Sequence, residues 1–256
     1  MAPRQPSVRF LILLLGFGAT TTGLSPSQRP PASRRIALER ILTGGGLLVA
    51  SPVAAGAFEN GVPEMAQYQD RPKRRGPAPT DLGLKKRQLN QYGDMSEGPE
   101  LKLCKAAPNC FSTAGDPEFD AAFLLAPWSP PASLVSSGGV AAVSKALGDA
   151  IRSYQPGQGG IDGGGFKIVS ALDSGYYLVQ FESLKNGYID DLELAVTDDG
   201  AKVQVRSSSR VGFLDFGVNA KRLNFLSAKL RAAGWDAKEI TSKTHPDYFL
   251  QNFGKL

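Results

Sequence analysis

The chain is poor in the residues that most often carry chemistry. Among 256 residues there is one histidine, His245, and there are two cysteines, Cys104 and Cys110. A zinc site takes about four ligands, and His245 lies far from both cysteines, so no metal is expected. A Ser-His-Asp arrangement needs a histidine beside its nucleophile; the lone histidine sits in the C-terminal tail. The cysteines lack Cys-x-x-Cys spacing. Gly163-Gly164-Gly165 precedes a strand and is not followed by Gly-Lys-Ser/Thr, so it is not a phosphate-binding loop. No cofactor is expected. The body of the chain also lacks net charge. The +5 total belongs to residues 1–57, with six arginines and one glutamate; the remainder holds 23 basic and 23 acidic residues. A neutral body has no large field to attract a polyanion, which excludes nucleic acid as a partner.

What is present begins with a leader. Arg4 and Arg9 precede an apolar run, Phe10 to Phe17, and small residues follow to Gly23. "LSPSQRPPASRR" comes next, rich in Ser, Pro and Arg. A second uncharged run, Ile41 to Phe58, contains Ala55-Gly56-Ala57, a cleavage pattern. Signal, transit segment and second signal in tandem resemble the tripartite leader of a thylakoid-lumen protein in an alga with a secondary plastid. Ser33-Arg34-Arg35 before the second run is similar to a twin-arginine signal. The expected address is the thylakoid lumen of a plastid. Retention of residues 41–58 as a membrane anchor is the alternative, since the run is near the minimum length of a span.

Residues 58–102 hold Pro63, Pro72, Pro77, Pro79 and Pro99 and few large apolar residues. They read as a flexible linker, or as an arm that orders along a partner. From residue 103 the pattern becomes regular. Val140, Val143, Leu147, Ile151 and Tyr154 predict an amphipathic helix over 136–154. Four strands follow, joined by turns at Ser174-Gly175, Asn186-Gly187 and Asp199-Gly200. Two-residue loops pair Leu172 with Tyr177, Ile168 with Phe181, Phe181 with Leu192, Val179 with Leu194, and Val196 with Val203. That register puts the large apolar residues on one face. It also sets Arg206 opposite Glu193 on the polar face, a pair contributing roughly 0.2–1 kcal/mol. Leu223, Leu226 and Leu230 predict a second helix, with Asn219 as its N-cap. The expected fold is α+β: a four-stranded antiparallel meander flanked by two helices, with a long irregular N-terminal extension. Residues 103–235 form the domain, and 236–256 are a C-terminal tail.

"CKAAPNC", "LLAPWSPP", "GYIDDLEL" and "RSSSRVGFLDFGVNAKR" occur in that order between residues 104 and 222. Together they closely resemble the domain-of-unknown-function family 1499, of bacteria and plastid-bearing eukaryotes. The resemblance implies a fold and a set of characteristic residues rather than a reaction.

The candidate site is the last of these motifs. Ser207 to Ser209 raise the possibility of a nucleophile, but a hydroxyl needs an activating base and no motif places one. Alternation sends Asp190 and Asp191 to opposite faces, leaving Asp190 near the core and in need of Arg210 or Arg222. Asp215 can accept from Arg210 or from loop amides, and Arg222 can reach Asp215 or Asp190. The residues Asp190, Asp191, Arg206, Ser207, Ser209, Arg210, Asp215, Asn219 and Arg222 thus read as a polar clamp joining sheet to helix. An anion pocket built from Arg206, Arg210 and Arg222 is the functional alternative. A lumenal address permits a disulfide between Cys104 and Cys110, worth roughly 2 kcal/mol for so short a loop; a redox-active pair is the other reading. Two functions follow. One is a non-catalytic lumenal protein, peripheral to the membrane, that binds a thylakoid complex such as a photosystem as extrinsic subunit or assembly factor. The other is a small-ligand protein, for an anion or a lipid-like molecule, or an enzyme, using the Ser/Arg/Asp corner.

Overall fold

Alternating apolar residues in the second half of the chain build an antiparallel sheet, seen here in a computed structural model that describes residues 58–86, 98–105 and 107–254. The leader, residues 1–57, lies outside the described residues, and with it all of the second apolar run except Phe58. Among the described residues no helix is long and apolar enough to cross a membrane.

The architecture is α+β. The strands are β1 (Cys110–Ser112), β2 (Phe166–Ala171), β3 (Tyr176–Glu182), β4 (Ile189–Val196) and β5 (Val203–Ser209), in the order β1-β5-β4-β3-β2. The helices are α1 (Ala132–Arg152), α2 (Val218–Ala232) and α3 (Pro246–Phe253). The sheet therefore has five strands rather than the expected four. The extra strand is three residues long, too short to show alternation, and pairs Phe111 with Ser207 of β5.

The β4–β5 hairpin has the expected register, with Val196 opposite Val203 and Glu193 opposite Arg206. The other two hairpins differ. Phe181 faces Asp190 and Val179 faces Leu192, because four residues rather than two lie between the paired Ser183 and Tyr188. That slip is two residues, one full side-chain period, so the apolar face survives it. Between β2 and β3, Ile168 pairs with Val179, and a bulge between Ile168 and Ser170 shifts the rest. Leu172, expected opposite Tyr177, is exposed.

Helices α1 and α2 bury this face. Val143, Leu147 and Ile151 of α1 and Leu223, Leu226 and Leu230 of α2 pack with Tyr177, Val179, Phe181, Leu192 and Leu194. Each fully buried side chain of this size contributes about 1.5–3 kcal/mol. Helix α1 starts earlier than expected and is interrupted at Gly139, whose φ of 53° only glycine adopts at little cost.

The opposite face is also covered, so every residue of β4 is buried. The cover is the described part of the 58–102 arm. Arg75 donates to Glu182 at 3.1 Å, and Gly83 N donates to Glu193 at 2.7 Å. Leu101 N donates to Gln204, whose amide in turn donates to Pro99 O. This stretch lies along the sheet's polar face rather than acting as a free linker. It buries few apolar side chains, and its order comes from backbone and charge pairing with the strands.

Candidate functional site

Residues 206–222 turn the corner from β5 to α2, and those of their polar atoms that face the helices meet in one buried network. Arg222 is fully buried at its centre. Its Nε and Nη2 donate to the two oxygens of Asp162 at 2.8 and 2.5 Å, and Nη2 also donates to Asp190 at 2.7 Å. Nη1 donates to Asn219 Oδ1 at 2.8 Å and to Ser207 Oγ at 3.2 Å. Its guanidinium carbon lies 4.6 Å from the centre of the Phe181 ring. Every guanidinium N–H thus has a partner, the condition under which a charge is tolerated in a core. Burial works against the Arg222 charge, but Asp162 and Asp190 outweigh it and hold the group above the usual arginine range. Burial pushes Asp162 up, with Arg222 opposing.

The corner itself is held by Asp215. Its oxygens accept from Gly217 N, Asn219 N and Asn219 Nδ2 at 3.0, 2.9 and 2.8 Å. Asp215, not Asn219, therefore satisfies the first turn of α2; Asn219 lies inside the helix, fully buried. The reason is Gly217, which caps α2 in the left-handed region and carries no side chain to do the work. Tyr248 of α3 donates to Asp215 at 2.7 Å, and Asn252 accepts from the amides of Asp215 and Phe216. Burial raises the Asp215 carboxyl, opposed by Tyr248 and these donors. Residues 236–256 thus include a helix that completes the corner.

On the arm-covered face, Arg210 clasps Asp191 through Nε and Nη2, both at 2.7 Å. Arg206 donates to Glu193 at 3.2 Å. Arg206 and Arg210 face the arm while Arg222 faces the helices, so the three do not form one anion pocket. Each already holds a carboxylate.

Among the described residues no base is bonded to Ser207 or Ser209. Ser207 donates to Asn219 and accepts from Arg222; Ser209 accepts from Asn219. His245 is engaged with Leu124 O and Thr244, and burial lowers its pKa. Cys104 and Cys110 form a disulfide. It closes a loop through Asn109, which accepts from Asn219 and Ser209 N and donates to Gly212 O. Among the described residues no group of three or more His, Cys, Asp or Glu side chains is placed to hold a metal ion.

Beside the corner lies a cavity of about 760 Å3. Its wall includes Ile161, Leu184, Val211, Leu214 and Phe216, and its polar part includes Asp162, Asp190, Ser209 and Asp215. The arm contributes Arg74 and Gly76. A Cβ at Gly76 would lie 2.6 Å from Val211, so glycine lets the arm close against the corner. Asp162 and Phe216 are the two non-glycine residues with positive φ among those described, at 54° and 53°, and both line the cavity. Sequence reasoning missed Asp162, which sits in a glycine-rich loop with no periodic signal, and it missed Tyr248 and Asn252.

No curated protein and no solved structure matches the chain. A family model does: residues 100–230, just over half of the chain and including the five strands, α1 and most of α2, match the protein family of unknown function DUF1499, and the chain belongs to that family.

Proposed function

We propose that the protein is a non-catalytic binding protein that holds a small amphipathic molecule beside the corner. The observation that carries this reading is the cavity, largely apolar in its walls with carboxylates and a serine at one part. Its size falls within the range of roughly 300–1,000 Å3 typical of ligand sites. Two non-glycine residues in left-handed backbone line it, each costing on the order of 1–2 kcal/mol. Strain of this kind gathers at functional sites. The Ser/Arg/Asp corner supplies the frame: its hydroxyls and guanidinia are committed to internal partners, which argues against nucleophilic catalysis. Calorimetric titration of the full chain with decanol, an apolar probe with one polar end, should give saturable binding at a single site. Absence of saturable binding would contradict the reading.

A second reading is compatible with the first. The protein would be an extrinsic subunit or assembly factor of a thylakoid-lumen membrane complex such as a photosystem, peripheral to the membrane. The composition of residues 1–57 supports the address. Phe213 and Phe216 of the corner, with Leu250 and Phe253 of α3, support docking, since all four are large apolar side chains left exposed. After mild detergent solubilisation the native protein should migrate with a membrane complex on a non-denaturing gel. Migration only as a free monomer would rule this second reading out.

A further inference from the structure

We infer that the molecule held in the corner cavity carries a protonated amine on an apolar body. The inference rests on the cavity being a binding site, and adds the sign and chemistry of the ligand's polar end.

Three carboxylates, Asp162, Asp190 and Asp215, line the cavity. Among the described residues Arg222 is the one cation bonded to any of them, and it serves Asp162 and Asp190 together. Asp215 receives only uncharged donors, from Gly217, Asn219 and Tyr248. Asp162 and Asp190 share that one guanidinium, so where both are ionised the pair keeps an excess of negative charge. The lining contains one further cation, Arg74, which is exposed on the arm and faces solvent screening rather than burial.

Asp190 adds an independent observation. The residue is only 8% exposed, and its Oδ2 accepts from Arg222 at 2.7 Å. Its Oδ1 accepts no hydrogen bond from any described residue. With 11% of the side chain exposed and Asp190 in the cavity lining, this oxygen is open to accept from a bound molecule. An ammonium group provides several N–H donors together with the compensating charge. Charge-assisted bonds of this kind are about twice as strong as neutral ones. A fatty carboxylate would bring like charge against three acidic side chains, and an alcohol would bring a donor without charge. The apolar wall from Ile161 to Phe216 accommodates the rest of the molecule.

The experiment titrates the full chain at neutral pH with decylamine, decanol and decanoate, each below its aggregation concentration. Decylamine should bind roughly tenfold more tightly than decanol, a difference of about 1.4 kcal/mol, and decanoate should bind most weakly. In Asp190→Asn the preference for amine over alcohol should fall to about twofold or less, each affinity being read against decanol in the same variant. If that variant does not fold, the amine-to-alcohol ratio of the unaltered protein decides the matter. Equal binding of amine and alcohol, or decanoate binding as tightly as decylamine, would overturn the inference and leave the cavity reading standing. Failure of all three to bind would remove both.

Discussion

Arg222 is buried and Arg210 partly so, with 8% of its side chain exposed, and both are held by carboxylates on β4, one from each face of the strand. Removing a partner from such a pair leaves an uncompensated charge away from water. Arg210→Ala should therefore cost about 3–5 kcal/mol, because Asp191 has only 1% of its side chain exposed. Thermal or urea unfolding reads this directly, and adding Asp191→Asn should recover a large part of the loss. An unchanged melting temperature would show that the pair is not structural. Much of this was legible at the level of single residues. Alternation separates Asp190 from Asp191, and the two-residue turn at Asp199-Gly200 pairs Arg206 with Glu193. It could not supply Asp162, which meets Arg222 across 60 positions from a loop whose glycines carry no pattern. Nor could it show that Asp215 caps α2, since the cap acts across a glycine in left-handed backbone.

The elements that sequence pattern defines well are those long enough to repeat. The central strands and α2 show their period several times, and the helix over α1 is visible from Val143 to Ile151. β1 is three residues long and α3 eight, and neither repeats enough to be separated from loop. The β3–β4 register failed because the turn dipeptide lay inside a four-residue loop, and the two-residue period of the strand concealed the error; the β2–β3 register failed at a bulge. Yet α3 holds the corner. The Asn252 side chain accepts from Asp215 N and Phe216 N and donates to Pro108 O. Asn252→Ala leaves these buried groups without partners and should destabilise the protein by about 2–3 kcal/mol. Hydrogen exchange should quicken at the amides of Asp215 and Phe216 before the sheet opens. Protection unchanged at those amides would mean that α3 merely rests on the surface.

At the scale of the whole molecule, the centre of the sheet is buried on both sides by different means. Helices cover one face through apolar contact, and the arm covers the other through ion pairs and backbone bonds: Lys73 and Arg75 on Glu182, Gly83 on Glu193. A segment that gains order by charge and backbone pairing has the composition of a linker, which is why its role was not legible from apolar content. The cavity was hidden for a related reason. Its walls come from the arm, the glycine-rich loop, the β3–β4 turn and the corner, so no single stretch carries its signature. The most direct test fills it. Leu184 lines the cavity from the β3–β4 turn and is only partly buried, so Leu184→Trp should occupy the space without emptying the core. The central claim predicts saturable decanol binding to the unaltered protein and its loss in Leu184→Trp, with the melting temperature nearly unchanged. Binding that persists with full affinity in the filled variant would contradict it.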